Sequence, residues 1–140
     1  MNRLFLLVAF CCTTHLAPAA RAEEARSFPL ADVRLLEGPF RHAQEVDLRY
    51  ILALDSDRLL APFRAEAGLP AKAAKYPNWE SSGLDGHTAG HYLTAVAQMW
   101  AVTGDPEMKR RLDLMVSELA ECQRASGDGY VGGIPNSRKL

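Results

Sequence analysis

Across 140 residues, 16 lysines and arginines stand against 17 aspartates and glutamates, a formal net charge of −1. No basic block and no interleaving of aromatic with basic residues occurs, which excludes the electrostatic footprint of a nucleic-acid-binding protein. At the N-terminus Arg3 precedes an apolar run from Leu4 to Cys12, and small residues lead on to Ala20-Arg21-Ala22. That order is the pattern of a secretory signal peptide over residues 1–22, cleaved after Ala22. The apolar run is far shorter than the roughly 20 residues that span a membrane, so a secreted or periplasmic protein without a membrane span is expected. Cleavage removes Cys11 and Cys12 and leaves Cys122 alone, so the mature chain has no intrachain disulfide. It also removes Arg3 and Arg21, leaving 14 basic residues against 17 acidic ones.

After the leader, residues 23–36 read as an arm, with Asp32 to Leu36 as a short strand or extended segment. Gly38-Pro39 breaks the chain and opens a helix, with proline tolerated in the first turn. From Phe40 the apolar positions Ala43, Val46, Tyr50, Ala53 and Leu54 recur at spacings of three and four and predict one helical stripe. Asp55 to Asp57 ends or kinks that helix, and Arg58 to Ala65 predicts a short second one interrupted near Pro62. Residues 71–83 have no periodicity, and a loop of this length is more often functional than idle.

The segment from Leu84 to Thr103 is apolar nearly all round, which predicts an inner helix buried on most sides. Gly104 stops it, Asp105 caps the next helix and Pro106 takes its first position. Met108, Leu112, Met115, Leu119 and Cys122 then form an apolar stripe, with Arg110, Arg111, Asp113, Glu118 and Glu121 opposite, as on an outer helix. Inner and outer helices joined by a tight turn make an αα-hairpin. Cys122 on the stripe reads as a small buried hydrophobe. Ser126 to Pro135 is a glycine-rich loop, and a chain with so much apolar helix surface is expected to be the incomplete first part of an all-α fold.

Three clusters could carry chemistry. Asn78-Trp79-Glu80 sets an amide, an indole and a carboxylate side by side, as a sugar site requires; Trp79 serves equally well as an anchor holding the loop to the helices beneath. In Asp85-Gly86-His87-Thr88-Ala89-Gly90-His91, His87 and His91 are four apart and share one helical face. That spacing suits a metal, but Thr88 replaces the glutamate of the H-E-x-x-H zinc motif and no third ligand is evident. The helix is then expected to start near Asp85, with its first-turn polar groups lining the mouth of a cavity; the alternative has Asp85 capping the helix and one histidine satisfying a buried loop carbonyl. Asp128 and Tyr130, in the glycine-rich loop, are expected to face the same cavity as Trp79, Glu80, Asp85, His87 and His91. Glu80, Asp85 and Asp128 are carboxylates of the type glycoside hydrolysis uses in pairs.

Taken in order, several strings resemble glycoside hydrolase family 127, the β-L-arabinofuranosidase-like family. They are Asp32-Val33-Arg34-Leu35-Leu36-Glu37-Gly38-Pro39-Phe40, Asp57-Arg58-Leu59-Leu60-Ala61-Pro62-Phe63-Arg64, Trp79-Glu80, Leu84-Asp85-Gly86-His87, Gly90-His91-Tyr92-Leu93, Thr103-Gly104-Asp105-Pro106, and Gly127 through Pro135. The resemblance implies the N-terminal part, residues 23–140, of an (α/α)6-barrel catalytic domain that is incomplete in this chain. It also implies a carbohydrate substrate of plant-glycan type and retaining release of β-L-arabinofuranose. The nucleophile of such enzymes is a cysteine held on zinc, with a glutamate as acid/base. None of those residues is carried over to this chain, so the resemblance implies zinc in the full-length protein and no cofactor in this part. Two other readings stand beside it: another helical-barrel carbohydrate enzyme, of unsaturated glucuronyl hydrolase or lyase type, and a helical binding module.

Overall fold

A computed structural model describes residues 25–139, so the signal peptide expected over 1–22 lies outside the described residues. Four helices carry the fold: α1 (Pro39–Ala53), α2 (Ser56–Glu66), α3 (His87–Thr103) and α4 (Pro106–Ser126). Three single turns of 3-10 helix accompany them, at Leu30–Asp32, Asn78–Ser81 and Ser137–Lys139. No strand forms among the described residues, so the Asp32–Leu36 segment is a turn running into extended chain. No helix among them is long and apolar enough to cross a membrane.

The centre is α3. It packs against α1, α2 and α4 and receives the Leu30–Asp32 and Asn78–Ser81 turns. Its most extensive partner is α4, which confirms the αα-hairpin. The core joins Ile51 of α1, Leu59 and Leu60 of α2, Ala89, Tyr92, Val96 and Met99 of α3, and Met108 and Met115 of α4. On α4 the predicted stripe is the packed one: Met108, Met115 and Cys122 are buried, with Leu112 and Leu119 partly so. Asp105 caps α4 as expected, its Oδ1 accepting from the Glu107 and Met108 N–H groups at 2.8 and 3.2 Å.

Four local expectations change. Of the α1 stripe only Leu54, at its end, packs against the core, whereas Phe40, Val46 and Tyr50 are exposed; Ile51 is buried and Leu48 and Leu52 pack against the core instead. Arg111 of α4 explains the rotation. Its guanidinium donates to the carbonyls of Leu52 and Leu54 at 2.8 Å and more weakly to Ile51 at 3.4 Å, gripping the end of α1. Secondly, α2 is continuous through Pro62, because Asp55 caps it at the Asp57 N–H and burial of Leu59, Leu60, Ala61 and Pro62 offsets the ladder bond that proline cannot donate.

Glu118, assigned by pattern to the outer side of α4, lies at the contact with α2 and is paired there with Arg64 at 2.7 Å. Lastly, α3 is not covered on most sides. Ala89, Tyr92, Val96 and Met99 are buried, whereas His87, Gly90, His91, Thr94 and Gln98 are exposed. The exposed positions 87, 91, 94 and 98 follow a four-three-four spacing, a narrow polar stripe hidden in a largely apolar helix.

Candidate functional site

The candidate site is built where the 71–83 loop meets the start of α3. Tyr76 fixes one side of the loop: its hydroxyl accepts the Asp55 N–H at 2.9 Å, and the Arg58 guanidinium lies 3.9 Å over its ring. Ser81 Oγ donates to the Tyr76 carbonyl at 3.0 Å. Asn78 takes a left-handed conformation (φ 62°), which asparagine tolerates, and starts the 3-10 turn that carries Trp79 and Glu80.

Trp79 and Glu80 then go opposite ways. Glu80 is only 2% exposed. Its Oε2 accepts the Gly86 N–H at 2.6 Å and its Oε1 the Thr88 N–H at 2.7 Å. The helix begins at His87, two residues later than the sequence suggests, and its N-cap is Gly86 with no side-chain cap of its own. Glu80 therefore supplies from the loop the carboxylate that a helix start attracts. Asp85 does not cap the helix. It is 3% exposed, pairs with Lys75 Nζ, and accepts the Gly83 N–H at 3.2 Å.

With the loop anchored in this way, the Trp79 ring remains 61% exposed. Its centroid lies 5.6 Å from that of His87, and the His87 ring stands edge-on to His91 with centroids 4.5 Å apart. Trp79, His87 and His91 thus form a row of three exposed rings over the first turn of α3.

Asp128 and Tyr130 are held in a different cluster. Asp128 Oδ1 accepts the Tyr130 N–H at 3.0 Å and an Arg138 N–H at 3.1 Å. The Tyr130 hydroxyl bonds to Ser137, and Arg138 lies over the Tyr130 ring. What reaches α3 from this loop is backbone: Gly133 packs so closely on the Asp85-Gly86 turn that a Cβ on it would stand 3.0 Å from the Asp85 carbonyl oxygen. Pattern reasoning gave no sign of the polar positions Thr94 and Gln98, which continue the His87–His91 face along α3. Their four-three spacing from His91 is the signal that would have found them.

The zinc-held thiolate implied by resemblance finds no fit among the described residues. No three histidine, cysteine, aspartate or glutamate side chains converge there. Cys122 is 1% exposed on α4, and burial pushes its thiol pKa up, away from the thiolate form.

A central helix packed by helical partners, with its start opening onto a loop, defines part of a helical-barrel domain. The family described as β-L-arabinofuranosidase, GH127 catalytic domain, matches residues 32–140, and the chain belongs to that family of glycoside hydrolases. A search of curated proteins finds no match.

Proposed function

We propose that this chain contributes a glycan-contacting face to an exported, retaining β-L-arabinofuranosidase acting on plant-type glycans. In that reading Trp79 stacks on the apolar face of a sugar ring while His87 and His91 exchange hydrogen bonds with its hydroxyls. Glu80 and Asp85 hold the turn from beneath, and Asp128 and Tyr130 shape the neighbouring loop. The zinc-bound cysteine nucleophile and the acid/base glutamate belong, in this proposal, to a further part of the polypeptide. When bound, zinc keeps such a thiol deprotonated and nucleophilic.

The observation that carries the reading is the exposure of Trp79, at 61%, beside a neighbour that is 2% exposed. Glu80 already anchors the loop, so the indole is not needed as its anchor. The test is calorimetric titration of the full chain with β-L-arabinofuranosyl oligosaccharides. Binding is expected in the parent and about tenfold weaker or worse in Trp79→Ala, a loss of roughly 1.4 kcal/mol. Trp100→Phe, on the far part of α3, leaves it unchanged. Equal affinity in the parent and Trp79→Ala removes the indole from the site.

A further inference from the structure

We propose that His87 and His91 form an open two-nitrogen site for a late first-row divalent metal ion, with copper(II) the preferred occupant. The two residues are four apart on α3, both are exposed, and their ring centroids lie 4.5 Å apart. With metal–nitrogen bonds of about 2.0–2.1 Å, a shared metal stands roughly 3 Å from each ring centre, so chelating rings have centres about 4.5–5 Å apart. The observed separation of 4.5 Å already lies in that range, so the two rings are close enough to share one ion. Among divalent first-row ions copper(II) binds a given nitrogen site most tightly. The rings now meet at 81°, edge to face. Chelation requires each exposed imidazole to turn about its broad χ2 torsion until a nitrogen of each faces one point, and such turns take picoseconds to nanoseconds.

The electrostatic setting allows this. A cation beside a helix N-terminus is ordinarily disfavoured, because the first N–H groups carry partial positive charge. Here the Glu80 carboxylate sits on two of those N–H groups and supplies a compensating negative charge. Imidazole nitrogens are soft enough for copper, nickel and zinc, whereas magnesium and calcium require oxygen ligands. Thr88 stands where a zinc protease carries its glutamate base, so the site binds a metal without a built-in hydrolytic base. The remaining coordination positions belong to water or to an incoming ligand. This inference does not depend on the glycan reading, since the metal alone is the probe.

The experiment is titration of the full chain with copper(II) near neutral pH, followed by calorimetry, tryptophan fluorescence and electron paramagnetic resonance. One equivalent is expected to bind with a nitrogen-ligand spectrum, quenching Trp79, whose ring lies 5.6 Å from His87. Trp79→Phe should lose most of that quenching and keep the calorimetric binding. His87→Ala and His91→Ala should each weaken binding about tenfold or more, and His42→Ala, on α1, should not. Absence of saturable binding, unchanged affinity in either α3 variant, or equal binding of magnesium overturns the proposal.

Discussion

Glu80 and Thr88 lie eight residues apart in the chain, yet Glu80 Oε1 accepts the Thr88 N–H at 2.7 Å while its Oε2 takes the Gly86 N–H at 2.6 Å. A buried carboxylate in the loop thus acts as the cap of the central helix. Because the same short turn carries Trp79 and the same helix start carries His87, this one group couples loop to helix and sets the spacing of the exposed rings.

Replacing Glu80 by glutamine keeps one acceptor and turns an amide N–H₂ toward a backbone N–H. An unmet buried donor costs about 1–3 kcal/mol. In a domain of roughly 100 residues each kcal/mol lowers the midpoint by about 4–8 °C. Thermal unfolding followed by circular dichroism should therefore show Glu80→Gln well below the parent. A midpoint within about 1 °C of the parent would refute the capping role.

The second prediction concerns the backbone crossing of Gly86 and Gly133. A Cβ on Gly86 would lie 2.8 Å from Phe63 Cζ and 3.3 Å from Gly133 Cα, and its φ of +88° already disfavours an L-residue. A Cβ on Gly133 would meet Asp85 O at 3.0 Å and Gly86 Cα and Pro62 Cβ at 3.1 Å. The backbone of the Asp85-Gly86 turn on one side and the rigid Pro62 ring on the other leave no room to withdraw, so Gly133→Ala should cost about 1–3 kcal/mol by overpacking. Gly86→Ala adds the left-handed penalty of about 1–2 kcal/mol and should be the worse of the two. Urea denaturation would rank them, and the reverse order would count against this reading of the crossing.

How far this was legible from the sequence depends on what each element answers to. The α3–α4 hairpin and its Asp105 cap were readable because Gly104, Asp105 and Pro106 act locally and the α4 stripe is unambiguous. The facing of α1 was not, since it carries apolar residues on two sides and the choice is made by Arg111, some sixty positions away. Glu80 was recognised as a polar residue in a functional-looking loop. Its role as a cap depends on chain reversal at Gly83 and Gly86, which periodicity does not encode. The bonding of Asp128 and Tyr130 to each other and to Arg138 was not legible, because no motif singled out Arg138.

Acid sensitivity should concentrate on α4. Hydrogen bonds from Arg110, and then Arg111, bring the Glu107 pKa from an ordinary 4.5 down to about 2. The Lys72 hydrogen bond, aided by Arg64 and opposed by burial, lowers that of Glu118 as well. Both folded-state pKa values are depressed, so the stability they contribute is present above the ordinary carboxylate range and is lost as pH falls through 4.5 toward 2. Arg111 also grips the end of α1, so neutralising Glu107 loosens that helix too. Urea midpoints measured from pH 6 down to pH 2.5 should fall through this window. Glu107→Gln should start lower and fall less steeply, and parallel curves would contradict the assignment.

The last prediction tests the ion pair that joins α2 to α4. Arg64 Nη1 meets Glu118 Oε2 at 2.7 Å with side chains 6% and 10% exposed, while Glu121 and Lys72 complete the network from the rim. Removing one partner strands the other in a poorly solvated place, a cost of about 3–5 kcal/mol for a buried pair. Arg64→Met and Glu118→Leu should each approach that cost. Removing both deletes the stranded charge and leaves two apolar groups in its place, so the double variant should be clearly more stable than the two losses added. A coupling energy of about 0.5–3 kcal/mol is expected from the cycle. Additivity within about 0.5 kcal/mol would show that Lys72 and Glu121 compensate fully for the missing partner, and that the contact is a surface pair in energy despite its burial.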